Sequence, residues 1–141
     1  MHSIQEIQNQ IIDEFNFFQD WSEKYQYLID LGKNLPQFDT KDRIDSNLIK
    51  GCQSKVWLNS TFDNNIVIFK ADSDAIISKG IISLLIRVFS GHKPKDIINA
   101  NIDFIDKIGL NSHLSQTRAN GLLSMIKQIK IYAIAFDAKS K

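Results

Sequence analysis

The chain has 141 residues, of which 43% are hydrophobic and 23% are charged. This composition excludes a disordered protein and predicts a single domain, residues 1–141, with enough apolar surface to fold on its own. The net charge is +1 and the basic residues form no stripe, so we expect no nucleic-acid partner.

The chain shows no pattern typical of secretion or membrane insertion. Residues 1–6 lack the positive start, apolar core and cleavage site of a secretory signal. The longest apolar stretch, residues 75–89, is interrupted by polar side chains and is short of the ~20 apolar residues that span a bilayer. We therefore expect a cytoplasmic protein without a membrane anchor.

Two helices are predicted at the start of the chain. Ser3 followed by Glu6 is a capping-box pattern, and apolar residues at helical spacing predict a helix from about residue 4 to 18. A second apolar face begins at Trp21 and ends at Gly32, with Pro36 beyond it. We expect these two helices to form a hairpin.

Short strands are predicted in the middle of the chain. Residues 39–42 can start a helical turn, and residues 47–49 can form a brief strand. Two apolar runs, residues 56–58 and 66–69, then flank a polar segment that ends in Asp63-Asn64-Asn65, which tolerates positive φ. The pattern indicates an antiparallel hairpin.

A largely apolar helix is predicted after the hairpin, from about residue 74 to 90. Asp72-Ser73-Asp74 offers N-cap oxygens, and Gly91 and Pro94 are expected to close the helix. Its polar residues fall on one narrow stripe that we expect to face solvent: Lys79, Ser83 and Arg87. Such a helix belongs at the centre of the fold, lying across the sheet.

Two more helices complete the prediction. A short one is expected around residues 102–108, and Ser115 caps a last helix from about 116 to 137. In the last helix, Lys127 and Lys130 are expected to face solvent. Gly121 is unfavourable inside a helix, so we expect close packing to require it.

The single cysteine, Cys52, lies where turn residues meet an apolar strand. It cannot form an internal disulfide, so it is either a buried small hydrophobe or a reactive thiol. Gly51 before it, a polar Gln-Ser pair after it, and Lys50 and Lys55 describe an accessible turn in a mildly positive field, which favours a thiolate. From these residues alone, both interpretations stay open.

Other chemical sites are weakly indicated. His2, His92 and His113 show no metal-binding spacing, and we interpret them as surface or capping residues rather than ligands or partners of a catalytic cysteine. Arg118 occupies the first turn of the last helix, where the helix dipole disfavours a cation. It either pairs with a carboxylate such as Asp74 or supplies positive charge near the sulfur or a partner protein.

Several short motifs occur in a fixed order along nearly the whole chain. They are Trp21-x-x-Lys24-Tyr25, Leu31-Gly32-x-x-Leu35-Pro36, Gly51-Cys52-Gln53-Ser54-Lys55-Val56-Trp57, Asp72-Ser73-Asp74-Ala75, Lys79-Gly80 and Leu114-x-x-x-Arg118-x-x-Gly121-Leu122. This ordered set resembles the SufE family of sulfur acceptors. The chain departs from the family at Gln116-Thr117, where Pro and Ser are often found.

The resemblance implies a fold and a carrier function. The fold is α+β, a small antiparallel sheet packed against several helices and shared with scaffold proteins of the IscU type. The implied role is to accept persulfide sulfur on Cys52, relay it to iron-sulfur cluster assembly and stimulate the donor, without being an enzyme itself. Gly51, Gln53 and Ser54 would form the sulfur loop. The implied partner-binding or supporting residues are Asp74, Arg118 and Trp57.

The resemblance also implies the partners. The sulfur donor would be a cysteine desulfurase of the SufS or CsdA type, and the acceptor a scaffold of the SufBCD type. Pyridoxal phosphate would belong to the desulfurase, so this chain would need neither cofactor nor metal. A homodimer is compatible with the resemblance.

Three alternatives remain. The first is a CsdE-like acceptor that supplies other pathways. The second is a thiol enzyme that works without a protein partner and needs a general base beside Cys52. The third is an adaptor that stimulates a desulfurase without carrying sulfur.

Overall fold

The computed structural model describes residues 2–140, so the two ends of the expected domain, Met1 and Lys141, lie outside the described residues. Within that range a two-stranded antiparallel sheet packs against helices. The helices are α1 (Ile4–Asn16), α2 (Trp21–Lys33), α3 (Ile76–Phe89), α4 (Pro94–Ile98), α5 (Phe104–Lys107) and α6 (Gln116–Lys139), and the strands are β1 (Val56–Asp63) and β2 (Ile66–Ser73). The predicted α+β class is confirmed.

The first two helices begin at the caps that the sequence predicts. The Ser3 hydroxyl accepts the Glu6 N–H, and the Glu6 carboxylate accepts the Ser3 N–H, which completes the capping box. Asp20 caps α2. α1 ends at Asn16, two residues earlier than predicted, because the extended cap at Asp20 leaves little chain between the helices. Phe17, the C-cap residue of α1, is 82% exposed.

The hairpin is longer than predicted. Asp63 pairs with Ile66, and the connecting residues Asn64 and Asn65 have φ of 52° and 65°. A two-residue turn of this kind fixes the register, so pairing continues through the polar residues before the turn. Of the preceding segment, residues 40–42 form the predicted helical turn, and the predicted strand at 47–49 is reduced to one bridge from Leu48.

α3 lies at the centre of the fold, as predicted, but its polar residues are not solvated as expected. The Lys79 ammonium lies 3.3 Å from a carboxylate oxygen of Asp72, which also pairs with Arg43. The Arg87 guanidinium donates to Glu14 of α1 over 2.7 Å. Two of the three residues of the expected solvated stripe therefore form ion pairs with neighbouring segments, because α3 is surrounded on most sides, and Ser83 donates to the Gly80 carbonyl of its own helix.

The capping of α3 also differs from the prediction. The N-cap residue is Ala75, whose N–H donates to the Ser73 hydroxyl. The Asp74 carboxylate instead accepts the backbone N–H of Lys55 over 3.0 Å. The polar residues at the end of β2 are therefore bound to the segment before β1.

The chain after α3 contains a helix that the sequence analysis missed. Pro94, expected only to stop α3, occupies the first turn of α4, where its missing N–H is harmless. α5 is shorter than predicted, and buried Gln8 of α1 accepts the N–H groups of Asp103 and Phe104 at its start. Buried His92 forms a bridge with β2, so its interpretation as a surface or capping residue is wrong.

α6 presents an apolar face to the core, as predicted, and Ser115 accepts the Arg118 N–H at its start. Lys127 is exposed, but Lys130 is not free in solvent because its ammonium donates to the carbonyl groups of Ile98 and Ala100. Among residues 2–140, no helix is long and apolar enough to cross a membrane.

α2 and α3 approach closely at two glycines. A Cβ placed on Gly32 would lie 2.8 Å from the Gly80 nitrogen, and a Cβ on Gly80 would overlap the Leu28 carbonyl oxygen. Backbone is in contact with backbone here, so neither helix can accommodate a side chain without moving. The contact fixes α3, and with it Ser78, relative to the first two helices.

Gly80→Ala is expected to lower the free energy of unfolding by about 1–3 kcal/mol, because the added methyl overpacks this contact. Gly121→Ala is the matched control. Its Cβ would lie 3.6 Å from the Cys52 sulfur, an ordinary contact, so the expectation that close packing requires glycine there is wrong. Alanine is about 1 kcal/mol better than glycine inside a helix. Urea unfolding should show a loss of stability for Gly80→Ala alone. Equal losses of stability for both variants would contradict the close backbone contact between α2 and α3.

Candidate functional site

Cys52 lies in a short loop whose two ends are held together. The Ile49 N–H donates to the Val56 carbonyl over 2.9 Å, and Leu48 bridges to Trp57. Lys55 is fixed at both backbone groups, since its N–H donates to Asp74 and its carbonyl accepts the Ser73 hydroxyl over 2.7 Å. The segment between these anchors is residues 50–54. It contains the three implied loop residues and Cys52, and from here on it is called the sulfur loop.

Gly51 has a φ of +93°, a conformation that favours glycine. A Cβ at this position would also overlap the Ser124 hydroxyl of α6. The positive φ therefore favours glycine immediately before the cysteine, and an added side chain would also force the Ser124 hydroxyl to move. The backbone conformation and the contact with Ser124 explain why glycine occupies position 51 of the loop that the resemblance implies.

The Cys52 thiol is half-buried and points toward α6. It donates a weak hydrogen bond to the Gly121 carbonyl over a sulfur–oxygen distance of 3.6 Å. Beside it is a cavity of about 320 Å³. The lining residues come from the sulfur loop, the start of α3 and the start of α6: Cys52, Gln53, Ser54, Ala75, Ser78, Ile81, Thr117, Arg118, Gly121 and Met125.

Trp57, one of the implied partner-binding or supporting residues, does not shelter Cys52. The start of α3 lines the cavity beside the sulfur, whereas Trp57 is not among the lining residues. Trp57 lies on β1, where it pairs with Asp72 of β2 and also forms a bridge with Leu48. Trp57 therefore supports the anchor of the sulfur loop rather than the sulfur itself.

Burial raises the pKa of the Cys52 thiol above its ordinary range. The charged thiolate loses its hydration in the half-buried position, and desolvation disfavours the charged form. The expectation that Lys50 and Lys55 would favour the thiolate is therefore wrong for this conformation. At neutral pH the sheltered sulfur is a protonated thiol, which is a poor nucleophile.

The remaining predicted site residues are two polar residues of the sulfur loop, Gln53 and Ser54, and two exposed charged residues, Arg118 and Asp74. Gln53 lines the cavity, and Ser54 lies 2.8 Å from Ser78, oxygen to oxygen. Arg118 is exposed at the edge of the cavity, and among residues 2–140 its guanidinium forms no ion pair, so the suggested pairing with Asp74 is not made. Asp74 is exposed too, but one of its oxygens binds Lys55.

No histidine lines the cavity. His113 stacks on Trp21 with ring centroids 3.9 Å apart, and His92 is buried against β2. Residues 2–140 also contain no group of three or more His, Cys, Asp or Glu placed to hold a metal ion. The general base that an independent thiol enzyme needs is thus absent from the residues that line this cavity.

Fold and site together define a class of small α+β protein in which one half-buried thiol lies on a short loop. Residues 9–133 match the family model of SufE, the Fe-S metabolism associated domain. The chain is 42% identical over 127 residues to an uncharacterized SufE-like protein of Rhizobium meliloti, covering 86% of this chain and 91% of that one. The chain belongs to the SufE family, which supports a sulfur-transfer role in Fe-S metabolism.

Two further comparisons agree. An uncharacterized SufE-like protein of Rhizobium etli is 39% identical over 127 residues, covering 86% of each chain. The solution structure of a hypothetical protein from Thermus thermophilus superimposes with a TM-score of 0.75, covering 92% of this chain and 94% of that one at 15% identity. At that identity, the likeness shows a shared fold.

Sequence analysis missed two residues that contact the sulfur loop. The sequence presents Ser78 only as a polar interruption of an apolar helix, and it gives Ser124 no distinguishing feature. Neither could be recognised from spacing, because Ser78 meets Ser54 across 24 positions of the chain. The available signal was weak: a small polar residue in the first turn of an otherwise apolar helix.

Proposed function

We propose that this chain accepts sulfane sulfur from the persulfide of a cysteine desulfurase onto Cys52 and passes it to iron-sulfur cluster assembly. The observation that carries the proposal is the placement of the one thiol on an anchored loop beside a cavity. A sheltered position protects a bound persulfide, and a loop allows it to be presented. The family membership supports the same role.

The transfer step conserves atoms and electrons. Cys52 loses its proton to solvent or to a base of the partner, and the thiolate attacks the terminal sulfur of the donor persulfide. A new S–S bond forms on Cys52 while the S–S bond of the donor breaks. The desulfurase cysteine leaves as a thiolate, and the sulfane sulfur keeps its oxidation state throughout.

The sulfur loop then needs two positions. In the closed position the thiol is half-buried and protonated, so it reacts slowly. In an extended position, burial is relieved and the pKa of the thiol falls toward its ordinary range, which favours the thiolate. Docking of the desulfurase would select the extended position. Gly51 makes the required backbone change easier, because glycine tolerates many conformations.

The resemblance to the SufE family supports the choice of partners. The donor is a desulfurase of the SufS or CsdA type that carries its own pyridoxal phosphate, and the acceptor is a scaffold of the SufBCD type in the cytoplasm. Arg118 and Asp74, exposed near the sulfur loop, are proposed to meet the desulfurase. The chain acts as a carrier and an activator of that enzyme.

Incubation with a desulfurase and free cysteine is expected to add one sulfur atom to the protein, seen by intact mass and lost on reduction. Cys52→Ser should remain folded and gain no sulfur, because a hydroxyl is a far poorer nucleophile toward sulfur. Thermal unfolding and circular dichroism provide the control for folding. A folded serine variant that still delivers sulfur would rule out the carrier role and leave the adaptor as the better account.

Alkylation of Cys52 in the isolated protein should be slower at neutral pH than alkylation of a model thiol, and its rate should rise at higher pH. The sign follows from burial, which raises the pKa and reduces the thiolate fraction at neutral pH. Adding a desulfurase whose own cysteine is removed should increase the rate and shift its pH profile downward. Identical profiles with and without that partner would contradict the two-position loop.

Arg118→Glu is expected to weaken desulfurase binding by on the order of 1 kcal/mol, with a larger effect at low salt, because the charge is exposed. Asp74→Asn tests the second charge, since asparagine still offers an oxygen to the Lys55 N–H. Both variants should keep their thermal stability. Titration calorimetry at two salt concentrations measures the effect.

Lys95→Glu, on α4, is the control for Arg118→Glu, because it makes the same change of charge away from the start of α6. If Arg118→Glu and Asp74→Asn bind like the unaltered protein while remaining folded, the desulfurase uses another surface.

A further inference from the structure

One hydroxyl pair joins the sulfur loop to the central helix. Ser54 Oγ and Ser78 Oγ lie 2.8 Å apart, a normal hydrogen-bond distance for two hydroxyl groups. Ser78 lies in the first turn of α3 and is only 7% exposed. The contact therefore links a movable segment to a fixed one, because α3 is held against α2 at the Gly32–Gly80 approach.

The other attachments of residues 50–54 are weaker. The Cys52 thiol is a poor donor, and its contact with the Gly121 carbonyl is 3.6 Å long. The Gln53 side chain forms no hydrogen bond with the described residues. Within residues 2–140, the hydroxyl pair is therefore the one side-chain hydrogen bond of normal length that holds the sulfur loop closed.

We propose that Ser78 is a positioning residue for sulfur transfer: its hydroxyl holds Ser54, and so keeps the sulfur loop closed over the cavity until a partner docks. The inference rests on the proposed function, because a closed loop matters to a carrier of reactive sulfur. It adds a residue that neither the family resemblance nor the sequence motifs pointed to.

The chemistry of two hydroxyls suits a releasable contact. A net hydrogen bond between neutral groups changes an opening equilibrium by about two- to tenfold, which docking can readily overcome. Opening also strands no buried group, because a serine hydroxyl inside a helix can donate to the carbonyl three residues earlier, as Ser83 does to Gly80 on the same helix. An ion pair at the same place would hold the loop more tightly and leave a charge behind.

A double-mutant cycle on the isolated protein tests the inference. The variants are Ser54→Ala, Ser78→Ala and the double variant, and the readout is the alkylation rate of Cys52. Each single variant should react about two- to tenfold faster, because each removes the same hydrogen bond. The double variant should react no faster than the single ones. Ser54→Thr keeps a hydroxyl, so its Cys52 should be alkylated at a rate much closer to that of the unaltered protein than to that of Ser54→Ala.

Ser83→Ala is the matched control on the same helix. The Ser83 hydroxyl donates to the Gly80 carbonyl over 2.7 Å and does not line the cavity, so its removal should leave the alkylation rate unchanged. Thermal unfolding is measured for every variant. Faster alkylation at unchanged stability separates release of the loop from general loosening of the fold.

The inference is overturned if the single variants alkylate at the unaltered rate. It is also overturned if the double variant shows the product of the two single effects, or if Ser83→Ala accelerates the reaction equally. None of these measurements needs a desulfurase. An unchanged alkylation rate therefore counts against Ser78, whereas failure of Cys52 to gain sulfur counts against the proposed function.

Discussion

The attachment of Lys55 to the end of β2 is the constraint on which the site depends. Its N–H binds the Asp74 carboxylate, and its carbonyl accepts from the Ser73 hydroxyl and the Asp74 N–H. These bonds join the start of β1 to the end of β2, directly before the N-cap residue of α3. Because α3 is itself fixed by backbone contact with α2, the sulfur loop leaves a rigid base.

The burial of Cys52 controls two properties at once. It limits access to the sulfur, and it raises the pKa of the thiol so that little thiolate forms at neutral pH. A single outward displacement of the sulfur loop would therefore increase both the exposure of the Cys52 sulfur and the fraction of thiolate. If Cys52 carries sulfur as proposed, its proton would pass to solvent or to a base of the partner, because no histidine lines the cavity.

Local signals in the sequence predicted much of the fold. The capping box at Ser3, the Asn64-Asn65 turn and the apolar helix at the centre depend on residues close together in the chain, and each was found. The ion pairs of α3, the cap that Gln8 supplies to α5 and the Ser54–Ser78 contact join distant segments. Periodicity and spacing carry no information about such pairs, so they required the structure.

The Ile49–Val56 hydrogen bond sets a limit on how far the sulfur can travel. Cys52 is three residues beyond Ile49, and an extended chain spans at most about 3.3–3.6 Å per residue, so its Cα cannot leave that anchor by more than roughly 10 Å. The tether is short. A sulfur donor of the proposed kind would therefore have to bring its persulfide close to the start of β1, either in a shallow active site or in one that admits the edge of this protein along with the loop.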